Sequence, residues 1–245
     1  MKKRRYAAGG AALAAAVILG AFLLPRAGQI RAAVIESRVR SDVAQAYSQG
    51  DSGTCPVDFQ ALQSGNCDIY AWLYIPGAEI SEPVLCRDGD STYYTGHNSL
   101  GGADADGALF TDSAYNTRDF RDPATVLYGK NTWEGRLFSG LQAAYSTSGG
   151  LRDNREIILY LPDEEIHYTA FAAAPFRNYN IPYYFNFDIP ARYQAFLDLV
   201  RSVRTVDSHW NDAVEITTAD QMLILSAPRN GSASTSYLVL ARRNG

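Results

Sequence analysis

The residues able to do chemistry gather around two apolar stretches of this 245-residue chain. The first, Thr125-Val126-Leu127-Tyr128-Gly129, runs directly into Lys130-Asn131, and Lys130 is the single lysine beyond Lys3. The second, Leu223-Ile224-Leu225-Ser226-Ala227, runs into Pro228 and, after a polar break, resumes as Ser236-Tyr237-Leu238-Val239-Leu240-Ala241-Arg242. A serine hydroxyl beside a lysine amine is a nucleophile and base for acyl transfer, which makes Ser226 and Lys130 one candidate pair. A thiol is the other candidate nucleophile, and Cys86 is the odd cysteine if Cys55 and Cys67 join across the short segment between them. His97, His167 and His209 are far apart and have no cysteine or histidine at ligand spacing, so the sequence points to no metal and no cofactor.

The elements that would position these groups are mostly short strands. Ile69–Ile75, ended by Pro76-Gly77, reads as a strand and turn, and further strands are expected at Pro83–Cys86, Ala108–Asp112, Ala124–Tyr128, Glu156–Leu161, Glu165–Arg177, Asp212–Glu215, Met222–Ser226 and Tyr237–Arg242. Helices are expected at Asp58–Gln63, Leu137–Tyr145 and Ala191–Val203. Many short strands with few helices indicate an all-β barrel or sandwich, and periodicity does not choose between the two.

The N-terminus adds a physical signal of a different kind. Lys2, Lys3, Arg4 and Arg5 precede an apolar run from Ala7 to Leu24, which is about long enough to span a bilayer as a helix. The basic cluster is expected to remain cytoplasmic, which puts the rest of the chain outside the cell as a single-pass membrane protein. Residues 1–28 then form the stub and anchor, 29–53 a juxtamembrane helix carrying Ile30, Val34, Val39, Val43 and Tyr47, and 54–245 the folded domain. The net charge is −4 although four basic residues crowd the first five positions, so the remainder is acidic and unsuited to nucleic acid.

The two stretches and the segment Asp58-Phe59-Gln60-Ala61-Leu62 to Ile75-Pro76-Gly77 together resemble class B sortases, the membrane-anchored cysteine transpeptidases of Gram-positive bacteria that attach surface proteins to the cell wall. That family reads roughly "IIYGHN…MFxxL" where this chain has Val126-Leu127-Tyr128-Gly129-Lys130-Asn131 and Leu137-Phe138-Ser139-Gly140-Leu141. It reads "LTLSTC…RYVVVGK" where this chain has Leu223 to Pro228 and Ser236 to Arg242. The resemblance implies a mainly β fold, a closed barrel of about eight strands with peripheral helices, preceded by an N-terminal transmembrane helix. It also implies that the family's histidine, cysteine and arginine positions are held here by Lys130, Pro228 and Ser236.

Proline has no nucleophile and no backbone N–H, lysine titrates about four units above histidine, and serine lacks the guanidinium's charge and fork of donors. The expectation is therefore a pseudoenzyme that binds a sorting-signal peptide, or a pilin or sortase partner, without cutting it. The alternatives are an active sortase with relocated groups, for which Cys86 is the available thiol, and a Ser–Lys hydrolase using Ser226. Cys86 ends a run similar to one in the family, which places it on the barrel wall. The aromatic segment Asn178-Tyr179-Asn180-Ile181-Pro182-Tyr183-Tyr184 falls where class B members line their peptide groove, so Tyr179, Tyr183 and Tyr184 are the expected peptide-binding residues.

Overall fold

The computed structural model describes residues 29–50, 55–132, 135–232 and 234–245. A long helix, α1, occupies residues 29–49 and ends at Gly50, whose φ of 66° suits a residue without a side chain. α2 (Phe59–Gly65) follows, started by Asp58, whose carboxylate accepts from the Ala61 N–H. The strands are β1 (Ile69–Ile75), β2 (Ile80–Leu85), β3 (Leu109–Phe110), β4 (Ala124–Tyr128), β5 (Glu156–Tyr160), β6 (Glu165–Arg177), β7 (His209–Trp210), β8 (Met222–Pro228) and β9 (Thr235–Arg243). Between them lie α3 (Leu141–Tyr145), α4 (Ser148–Asp153), α5 (Ile181–Phe185) and α6 (Pro190–Ser202). Among the described residues no helix is long and apolar enough to cross a membrane, and the expected anchor over 1–28 lies outside them.

The strands run β5-β1-β2-β3-β4-β8-β9-β6, and β6 pairs back onto β5, which closes an eight-stranded barrel with β7 attached at the outer edge of β6. Two neighbours are parallel, β2 with β3 and β4 with β8, and the other pairs are antiparallel. Because most strands are buried on both faces, they read as continuous apolar runs. Leu127, Leu225 and Val239 point into the barrel, whereas their neighbours Val126, Ile224, Leu238 and Leu240 pack outward with Phe196, Leu197 and Val200 of α6. On another side, Trp72 and Tyr74 of β1 pack with Val39 and Val43 of α1 and with Phe59 and Leu62 of α2.

A buried polar cluster fixes α1 to the wall. Arg40 bridges Glu36 of its own helix, at 3.3 Å, and Glu82 of β2, at 2.7 Å. Both carboxylates are only 4% exposed, and Ser99 donates a short hydrogen bond to Glu36. Arg136, in the loop after β4, meets Glu82 from the other side at 3.5 Å, so one buried carboxylate joins helix, barrel and loop.

Two expectations need correction, and one open question is answered. Asp212–Glu215 is not a strand: the Asn211 side chain accepts from the Ala213 N–H and its carbonyl from Val214 N–H, which turns the chain, and the strand there is His209–Trp210. The helix expected from Leu137 begins only at Leu141, because Leu137 has a φ of 55° and bridges Asn131, while Thr132 and Ser139 tie the intervening turn together. The pairing of Cys55 with Cys67, which the sequence leaves open, is not made: both are free thiols.

Candidate functional site

β4 and β8 are parallel neighbours with Tyr128 beside Ser226, so the residues that follow each strand emerge together at one end of the barrel. Gly129 N–H donates to the Ser226 carbonyl at 3.2 Å, and the Asn131 amide donates to the Pro228 carbonyl at 2.8 Å. On the far side of β8, Pro228 lies directly opposite Ser236 of β9. Opposite residues on antiparallel strands hold their Cβ atoms about 5 Å apart, within reach of one bound group. Residues 226, 228 and 236 share the outward face of the wall, in line with Ile224 and Leu238.

Lys130, Ser226, Pro228 and Ser236 therefore line one cavity of about 320 Å³, although they come from three strands and well separated parts of the sequence. Its remaining walls include Thr95, Phe110, Tyr128, Asn178 and Thr235. Phe110 and Tyr128 stack at 5.5 Å. Burial, with Asp112 and Tyr115 adding to it, raises the Tyr128 pKa above its ordinary value, so this wall is a neutral phenol. Lys130 is the one charged residue among the described lining residues. Its Nζ donates to the carbonyls of Thr95, at 2.6 Å, and Ala105, at 2.8 Å, which straps the loop between β2 and β3 across the end of β4. Ser236 Oγ is 3.4 Å from Asn178 Oδ1, and Thr235 Oγ1 is buried with no hydrogen-bond partner.

No thiol, imidazole or guanidinium lines this cavity among the described residues. Cys86 follows β2 and is 1% exposed in the barrel core. Cys55 lies near the Val57 and Leu161 carbonyls, away from the cavity. His97 stacks on Tyr93 at 3.8 Å with Nδ1 at the Tyr93 carbonyl, His167 sits between Glu156 and Glu165, and His209 meets the Ser146 carbonyl. Arg229, next to Pro228 in sequence, is held by Asp207 through Nε and Nη2 at 3.1 and 3.2 Å. Ser226 and Lys130 share the cavity, but no hydrogen bond joins them among the described residues.

The aromatic segment lies alongside the cavity, and of its residues only Asn178 lines it. Tyr179 bonds to Arg177 and packs edge-on against Phe176, and Tyr184 lies 4.9 Å from Tyr179. Tyr183 and Tyr184 are 65% and 56% exposed on α5. Sequence reasoning missed Thr95, Ala105 and Thr235. The first two act through main-chain carbonyls, which carry no sequence signal, and Thr235 was identifiable only from its place one residue before Ser236.

No model of a known protein family matches the chain. A curated relative, sortase B of Listeria monocytogenes, is 34% identical over 107 residues, which are 41% of this chain and 43% of that protein, so the match spans less than half of the relative's length. A Staphylococcus aureus sortase B–substrate complex superposes with a TM-score of 0.69 at 19% identity, covering 85% of this chain and 94% of that one. A mutant form of Clostridium perfringens sortase B does so with a TM-score of 0.67 at 19% identity, covering 86% and 97%. The barrel and its helices give this chain the fold of the sortase B structures, and 107 of its residues are similar in sequence to a sortase B.

Proposed function

We propose that this chain is a pseudo-sortase: a domain displayed outside the cytoplasm on an N-terminal anchor that binds a sorting-signal peptide without cleaving it. The observation that carries this reading is the pairing of Pro228 with Ser236 on the wall of a cavity that holds neither thiol nor imidazole among the described residues. Thiol transpeptidation needs a nucleophilic sulfur, a proton donor for the leaving amine and donors for the oxyanion. A pyrrolidine ring, an ammonium committed to two carbonyls and a hydroxyl do not supply that set. What remains suits binding: stacked aromatic rings, neutral hydroxyls and the exposed Tyr183 and Tyr184 alongside. The Staphylococcus aureus relative is a sortase B–substrate complex, which supports a peptide as the class of ligand.

The test combines two readouts on the full chain: fluorescence anisotropy with a panel of labelled sorting-signal peptides, and mass spectrometry of the same mixtures with a glycine-based amine acceptor. Saturable binding with intact peptide is the expected result. Hydrolysis or transfer products that disappear in Lys130→Ala or Ser226→Ala would instead establish the Ser–Lys hydrolase, a reading favoured by the shared cavity of those two side chains.

A further inference from the structure

The same three strands that end at the cleft begin or finish, at the opposite pole of the barrel, around a second cavity of about 750 Å³. With β8 seven residues long, the two sites are roughly 20 Å apart. Three arginines converge there: Arg121 from the loop before β4, and Arg242 and Arg243 from the end of β9. Their charge is unevenly matched. Arg243 is paired, donating to Glu164 and to the Gln221 side chain. Asp220, the acid on the cavity wall, is occupied in accepting from Thr217 N–H and Oγ1, both at 2.7 Å. Arg121 makes only long contacts, 4.0 Å to Asp119 and 3.8 Å to Glu164, and its side chain is 66% exposed.

Arg242 is the informative member. Its Nη1 donates to the neutral carbonyl of Glu215 at 2.7 Å, it has no carboxylate partner among the described residues, and its buried Nε has no acceptor. An unpaired guanidinium with an unsatisfied buried donor is costly to fold around, because arginine does not shed its proton to escape the penalty. It shares an open cavity with a second, loosely paired guanidinium, and one donor of its fork has no acceptor. We propose that this pole of the barrel binds a phosphate group, free or as a monoester, between Arg121 and Arg242. A tetrahedral oxyanion has enough acceptor oxygens to meet both forks at once, whereas a carboxylate has two.

Isothermal titration of the full chain with inorganic phosphate, and in parallel with glycerol 3-phosphate, at fixed ionic strength tests this. Saturable binding is expected for the unaltered protein, weakened about ten-fold or more in Arg121→Gln and in Arg242→Gln. Arg38→Gln, which removes the same charge from a side chain 82% exposed on α1, is expected to leave binding unchanged. Should Arg242→Gln fail to fold, the exposed Arg121→Gln still decides the matter. No saturable heat, equal weakening by Arg38→Gln, or equal affinity for acetate would each overturn the proposal.

Discussion

The Asn131 side chain donates to the Pro228 carbonyl at 2.8 Å, so the ends of β4 and β8 are latched together at the cleft. A second latch, from Lys130 to the Thr95 and Ala105 carbonyls, holds the neighbouring loop over the same opening. The cleft is thus organised by a side-chain amide and an ammonium bonded to main-chain carbonyls.

If the scaffold is sound, chemistry is restorable. The triple variant Lys130→His, Pro228→Cys and Ser236→Arg is expected to release cleavage product from a sorting-signal peptide that the unaltered chain leaves whole. Pro228→Cys alone is expected to yield a thiol open to alkylation but no turnover, since it still lacks a proton shuttle and an oxyanion donor. Mass spectrometry of peptide and protein reads both results.

The Arg40–Glu82 pair is expected to behave as a coupled unit. Glu82→Ala removes the shorter of the two carboxylate contacts of Arg40, leaving Glu36, and is expected to destabilise the fold by about 2 kcal/mol. Because Arg40→Ala removes the same contact, the double variant is expected to cost less than the sum of the two single changes in urea unfolding. Additive losses would show that the pair does not fasten α1 to the barrel.

Of the three cysteines, two are expected to react with a disulfide reagent in the native protein and the third only after denaturation. Cys55 and Cys67 are exposed, whereas Cys86 is 1% exposed. Partial burial raises the Cys55 pKa, so at neutral pH its thiolate fraction is small and its reaction slow. A native count of three would place Cys86 outside the core.

Alkaline pH is expected to unfold the barrel. Tyr70, Tyr145, Tyr193 and Tyr237 all have pKa values raised chiefly by burial, and their hydroxyls bond to Thr111 Oγ1 and to the carbonyls of Asn154, Asp220 and Asp207. A phenol that holds its proton more tightly when folded contributes stability that is complete below about pH 10, its unfolded pKa, and is lost as pH rises toward the folded value. Tyrosinate absorbance is therefore expected to lag behind that of free tyrosine and to rise together with loss of circular dichroism. Ordinary titration near pH 10 without unfolding would contradict the burial.

Much of this architecture was legible in the residue order, for a physical reason. Strands buried along most of their length, such as Ala124–Tyr128 and Met222–Pro228, leave largely apolar runs. Where the chain departs from that pattern, legibility fails. His209–Trp210 is too short to announce itself, and the apolar Val214 suggested a strand where the Asn211 side chain makes a turn. The placing of Lys130, Pro228 and Ser236 around one opening came from resemblance, since only the β4–β8–β9 ladder brings them together. The carbonyls that hold Lys130 belong to no residue type and were not readable at all.

Pro228 closes β8 with a ring that locks its own φ near −65°, at the rim where the cleft opens. That rim has fewer shapes to give up when a guest arrives than it would have with any open-chain residue in the same place. Less disorder is surrendered on docking, so under the proposed reading Pro228 strengthens the grip on a bound peptide.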